Sequence, residues 1–246
     1  LKFVKENPTN KYADAALNNA GVAFESLRKF ESATRAYERV FRDYPKSDHA
    51  KHALFRVAEN SYRFYDYDRA VASYLLLVQK YQDADERSDS LFNAAQVQEW
   101  TQDYRAAAAN YERYASLFPA SERTPRVFFR AANAYKRLGD TRNEIRIYES
   151  FMNKFGGDPA NNPKVLEGLA RIADIYVEEN RAKEARQTWQ RIIDEFNRRG
   201  MEPGSFEARY PAKATFNLVE RDFKVFEGMK LRGSLRVQGR TLKDMQ

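Results

Sequence analysis

Four clusters of aromatic, guanidinium and amide side chains carry the chemistry that this sequence offers. Phe55, Arg56, Glu59, Tyr62 and Arg63 form the first, and Phe92, Asn93, Gln96 and Trp100 the second. Phe129, Arg130, Asn133 and Arg137 form the third, and Arg171 with Asp174 the fourth. Steps of three and four residues keep the members of a cluster on one side of a helix. Side chains of these types bury area and also make hydrogen bonds, the combination favoured at protein-binding hot spots. The chemistry is recognition. The competing use is packing, because an aromatic between two helices looks the same in sequence as one at an interface. Tyr62 and Trp100, close to helix ends, are open to either use.

Catalytic chemistry has no comparable support. The chain holds no GxGxxG or P-loop, no GxSxG elbow and no HExxH pair. Gly156-Gly157 is the only Gly-Gly pair, and it opens a run of turn formers ending at Pro163, so it reads as a turn rather than a phosphate cradle. His49 and His52, the only histidines, stand three apart at a helix start, a spacing a metal accepts. Two ligands without a third make a poor site. The many carboxylates read as surface partners for Lys and Arg. The expectation is a protein without enzymatic activity, cofactor or metal.

Composition narrows the partners. Hydrophobic residues make up 43% and aromatics 14%, enough for a continuous core and against global disorder. The formal charge of +7 comes from 42 basic and 35 acidic residues mixed along the chain. A nucleic-acid surface concentrates its charge on one face beside stacking groups, so no nucleic-acid partner is expected. Cysteine is absent, which removes disulfides and thiolate metal sites but suits a cytoplasm and a periplasm equally. No apolar run reaches the length of about 18 residues that a membrane span needs. No leader peptide is apparent, and the chain opens on Leu1 rather than Met, as a trimmed sequence would.

The elements that must position the clusters follow from three columns. Tyr37, Tyr74, Tyr111 and Tyr148 are 37 residues apart, and Trp189 follows after a step of 41. Tyr44, Tyr81, Phe118, Phe155 and Phe196 keep the same steps, as do the small residues Gly21, Ala58, Ala95, Ala132 and Ala173. One supersecondary unit is therefore stacked several times. Helix breakers and capping residues punctuate it at Tyr44-Pro45-Lys46-Ser47-Asp48, Ser88-Asp89-Ser90 and Phe118-Pro119-Ala120-Ser121. The four-residue insertion falls in the glycine and proline loop from Gly156 to Pro163.

From Gly21, the offsets of 12 to Ala33, 16 to Tyr37, 19 to Val40 and 24 to Pro45 are those of the tetratricopeptide repeat, which the sequence resembles. The resemblance implies an all-α, right-handed solenoid of about five helical hairpins plus partial flanking units. Full units run over about 11–47, 48–84, 85–121, 122–162 and 163–200. A partial unit precedes them at 1–10 and a further helix follows over about 208–227. Residues 228–246 read as the start of a continuation. Departures are Glu144 where alanine is expected, Thr141 in place of Phe30, Tyr67 or Tyr104, and a period longer than the family's 34.

In this family the first helix of each hairpin lines a concave groove that holds a peptide or a partner helix, and the four clusters fall on that helix. The two-carboxylate clamp of chaperone-binding members is incomplete here. Arg126 and Arg130 match its last pair, but Asn18 and Val22 replace the first, and Gln96 stands near the second position. Charge reversal at Arg130 and Arg137 is expected to weaken binding without altering the melting. The Tyr-Pro-x-Ser linker resembles bacterial envelope members, such as the outer-membrane assembly lipoprotein, the Tol-Pal coordinator and gliding-motility components. The resemblance implies a periplasmic or envelope-associated scaffold for a protein partner. A cytoplasmic adaptor, or a peptidoglycan- or polysaccharide-associated module, shares most of these features.

Overall fold

The computed structural model describes residues 2–228. Among these the protein is all-α, with twelve α-helices, two short 3-10 turns and no strand. The helices are α1 (Lys2–Glu6), α2 (Ala13–Ser26), α3 (Phe30–Asp43), α4 (His49–Arg63), α5 (Tyr67–Lys80) and α6 (Arg87–Trp100). They continue with α7 (Tyr104–Leu117), α8 (Thr124–Leu138), α9 (Thr141–Phe155), α10 (Asn162–Glu178), α11 (Ala182–Arg198) and α12 (Arg209–Gly228). Residues 229–246, where a continuation was expected, lie outside the described part.

Each hairpin turns on one backbone device. Arg28, Tyr65, Gln102, Gly139 and Asn180 all have positive φ, between 56° and 69°, and follow one another at steps of 37, 37, 37 and 41. The amide of each bonds the carbonyl three residues back, as in Arg28 to Glu25 and Asn180 to Val177. At four of the five, the next amide reaches five residues back, from Lys29 to Phe24, Asp66 to Ser61, Asp140 to Tyr135 and Arg181 to Tyr176. This double closure satisfies the last carbonyls of a helix. Only one of the five residues is glycine, so the turn is invisible to a search for glycine punctuation. Asp66, Asp103 and Asp140 then cap the next helix by accepting from the amides of Arg69, Ala106 and Asn143.

The chain divides into two compact units, residues 1–144 and 145–246. In the first, α2, α3, α4, α5, α6, α7 and α8 each pack on the next, and α2 also touches α4. In the second, α10 packs on α11, and α12 packs on both. The three columns form the seams. Tyr37, Tyr74 and Tyr111 are no more than 1% exposed, and Ala58, Ala95 and Ala132 are fully buried. Gly21 has a physical reason to lack a side chain, since a Cβ there would sit 2.5 Å from the Tyr37 ring. In the second column, Tyr44 donates to the Pro8 carbonyl at 2.7 Å and Tyr81 to the Pro45 carbonyl at 3.2 Å, so each unit is tied to the preceding linker.

Two details differ from the sequence reading. Ser88, Asp89 and Ser90 lie inside α6, which starts at Arg87. Ser90 is fully buried and the Ser88 hydroxyl meets that of Tyr114 at 2.9 Å, so contact between helices has claimed both serines from capping. Glu144 takes its alanine position with complete burial of the carboxylate. On α12 the stripe Phe216, Val219, Phe223 and Phe226 is solvent-exposed.

Candidate functional site

The candidate site lies on the first unit, where α4 and α6 present the first two clusters. Glu59 and Tyr62 of α4 and Tyr74 of α5 line one side of a pocket of about 100 Å³. Asn93, Gln96, Val97 and Trp100 of α6 line the other. The Tyr62 and Trp100 rings lie 5.9 Å apart at 32°, and Trp100 is 53% exposed, so one face of the indole is open to a ligand. On the inner side the Tyr74 hydroxyl donates to Glu59. Burial, and then this hydrogen bond, push the Tyr74 hydroxyl far above its ordinary pKa. The lining contains one carboxylate, two neutral amides and three aromatic rings, with no Lys or Arg.

On either side of this pocket the same architecture is closed by an arginine. Arg56 donates to Glu25 through Nε at 3.1 Å and Nη2 at 2.6 Å, and the Tyr37 hydroxyl and the Asn60 amide join the same carboxylate. Further along, Arg130 Nε lies 3.3 Å from Glu99, which also accepts from the Tyr111 hydroxyl at 2.6 Å. The two sets, Glu25-Tyr37-Arg56 and Glu99-Tyr111-Arg130, stand 74 residues apart member for member, twice the repeat. Asn93 occupies the position midway between Arg56 and Arg130. Burial, followed by the Glu25 charge, raises the Tyr37 pKa to about 12, and burial with the Glu99 hydrogen bond raises that of Tyr111.

A family model described as tetratricopeptide repeat matches residues 15–47, 89–121 and 126–157. Those three stretches of the chain are similar to the tetratricopeptide repeat. The C-terminal part of a TPR repeat-containing protein from Cytophaga hutchinsonii is 13% identical at a TM-score of 0.50, over 79% of this chain and 71% of that one. MamA from Desulfovibrio magneticus is 13% identical over 75% and 95% of the two chains, with a TM-score of 0.44. YrrB, described as a TPR protein with an unusual peptide-binding site, is 13% identical over 86% and 96%, with a TM-score of 0.46. No curated protein matches the sequence.

The hairpins place the remaining cluster residues unevenly. Phe55 is half-buried with its ring 5.9 Å from Tyr74, and Phe92 lies 6.2 Å from Tyr111 and 6.0 Å from Tyr114, so both fill space between helices. The Arg123 and Arg130 guanidiniums cover the Phe92 ring at 5.4 and 5.5 Å. Phe129 is half-buried, whereas Arg63, Asn133 and Arg137 are exposed. In the second unit, Arg171 bonds Glu178 at 2.8 Å and Asp174 pairs with Lys213 at 2.8 Å. Arg56, Arg130, Arg171 and Asp174 thus have internal partners. The expectation that Arg130 can be charge-reversed at no structural cost is corrected here, because a glutamate there would face Glu99.

Glu25, Glu99 and Tyr74 were missed in the sequence reading. Each sits within the chain's general excess of charge or in the core tyrosine column, and only the tertiary pairing singles it out. His52 meets Glu86 at 3.0 Å, and no group of three or more His, Asp or Glu able to hold a metal occurs among the described residues. No described helix is long and apolar enough to cross a membrane.

Proposed function

We propose that the protein is a non-enzymatic scaffold whose α4–α6 face docks an extended segment or a helix of a partner protein. One observation carries this reading. Trp100, 53% exposed, and the half-buried Tyr62 form an aromatic wall beside an open polar pocket. Aromatic anchors next to hydrogen-bonding groups are the features that concentrate binding energy at protein interfaces. Crosslinking and mass spectrometry in native cells tests it. A partner captured by the wild-type protein is lost on Trp100→Ala while the helical spectrum is kept, and capture that survives the substitution removes this face from consideration.

The setting we propose is a bacterial envelope complex on the periplasmic side. The support is the linker style, Tyr44-Pro45-Lys46-Ser47 echoed by Phe118-Pro119-Ala120-Ser121, and fractionation of cells expressing the full-length protein checks it. A cytoplasmic fraction would replace it with an adaptor role.

Carboxylate beside exposed aromatic is also the arrangement a polysaccharide binder needs, and Glu59 stands beside Trp100 in that way. The pocket volume favours a protein side chain, since about 100 Å³ is well below the roughly 300–1,000 Å³ of small-molecule sites. Glycan-array binding that disappears on Trp100→Ala would reverse this preference.

A further inference from the structure

We infer that the α4–α6 pocket receives the guanidinium of an arginine side chain from the docked segment, with Glu59 taking its charge and Tyr62 and Trp100 covering its stem and face. This inference rests on the docking reading above and names what that site selects.

The repeat itself supplies the reasoning. In the two neighbouring places a carboxylate that accepts from a column tyrosine is neutralised by an arginine of the following hairpin, Arg56 on Glu25 and Arg130 on Glu99. The middle place keeps the tyrosine and the carboxylate, as Tyr74 and Glu59, but has Asn93 where the arginine would stand. Asparagine is shorter and carries no charge. What is left beside Glu59 is a cavity of about 100 Å³ rather than a collapsed seam. Glu59 makes no ion pair among the described residues, in contrast to Glu25 and Glu99. The Tyr62 position is itself where Glu25 and Glu99 stand in their own hairpins, 37 residues to either side. An aromatic ring has therefore replaced a carboxylate there, and a second ring, Trp100, lies against it.

A planar cation fits these walls for three separate reasons. The free carboxylate oxygen accepts its N–H groups, and aromatic faces attract guanidinium within about 6 Å. The Asn93 and Gln96 carbonyls offer further acceptors without bringing a competing charge. Arginine suits the site better than lysine because it stacks and forks while an ammonium does neither. The chain's own usage agrees, since Arg130 covers the Phe92 and Tyr111 rings at 5.5 and 5.6 Å while bonded to Glu99.

The test uses the full chain and two readouts. In the first, Asn93→Arg is made in the wild-type and Glu59→Gln backgrounds and thermal unfolding is followed. The introduced guanidinium should occupy the vacancy, raising Tm by roughly 2–4 °C in the wild-type background and not in the other. Equal shifts in both backgrounds would overturn the inference. In the second, randomised acetylated peptide pools with one fixed residue are compared by fluorescence anisotropy. The arginine pool should bind at least about tenfold more tightly than the isosteric neutral citrulline pool, a difference that each substitution abolishes. Citrulline and arginine pools that bind alike, with both lost on Trp100→Ala, would sink the arginine assignment while leaving the docking face intact. If no pool binds, both fail.

Discussion

Arg56 reaches back 31 residues to grip Glu25 with two hydrogen bonds, at 3.1 and 2.6 Å, and so joins the first full hairpin to the second. The Glu25 side chain is only 13% exposed, so water cannot readily take the place of that partner. Arg56→Ala is expected to destabilise the protein by about 2 kcal/mol, the usual scale for a hydrogen-bonded charge deprived of its mate. Arg56→Lys should recover part of the loss, because an ammonium cannot make the two-pronged contact. Urea denaturation of the three proteins checks this. Unchanged midpoints would mean that the pair is screened like an ordinary surface one.

The hairpin turns should respond in opposite directions to glycine. Gln102 is exposed and sits at φ 65°, a conformation that costs an L-residue roughly 1–2 kcal/mol. Part of that is returned as extra freedom in the unfolded chain, so Gln102→Gly is expected to stabilise by about 0.5–1 kcal/mol. Gly139→Ala, at φ 69° with no heavy atom crowding the site, should destabilise by a similar amount. Differential scanning calorimetry of both variants decides it, and shifts of the same sign would contradict the turn assignment.

Gly21→Ala should be costly for a different reason. Its new methyl group would lie 2.5–2.7 Å from three atoms of the Tyr37 ring, which is itself fully buried and held by Glu25. Overpacking of this kind costs about 1–3 kcal/mol. Combining it with Tyr37→Leu should relieve part of the penalty. A double mutant no better than the sum of the singles would show that the clash is accommodated elsewhere.

Stability should fall in alkali. The Tyr37 pKa is raised to about 12, above the value near 10 of an unfolded tyrosine. Below pH 10 both states hold the proton and the contribution is constant. Between 10 and 12 the unfolded chain binds fewer protons than the folded one, so stability drops as pH rises. Tyr74 and Tyr111, shifted in the same direction by burial, extend the decline. Urea midpoints at pH 7, 9 and 11 should be equal for the first two and lower for the third. A flat profile would mean that these hydroxyls are open to water.

The hairpins were legible because burial repeats with the chain. Tyr37, Tyr74 and Tyr111 must be aromatic, and Ala58, Ala95 and Ala132 must be small, so the pattern survives in residue type. The turns were not legible, because Arg28, Tyr65, Gln102 and Asn180 share a backbone angle and no side-chain property. The site was legible in part. Glu59, Tyr62, Asn93, Gln96 and Trp100 were singled out from their types and do converge on one pocket. Arg56 and Arg130 have the same types as free binding groups yet are bonded internally. Nothing in a sequence tells a cation with a partner from one without, unless the partner's position is also known.

Site-specific photo-crosslinking tests the docking face most directly. A photoreactive phenylalanine analogue replaces Gln96 in the pocket wall in one protein and exposed Arg113 on α7 in another, in cells that make the native partner. Adducts from the Gln96 position alone, mapping to one partner segment that contains an arginine, are the predicted result. Adducts from the Arg113 position alone, or the same adducts from both, would contradict the account.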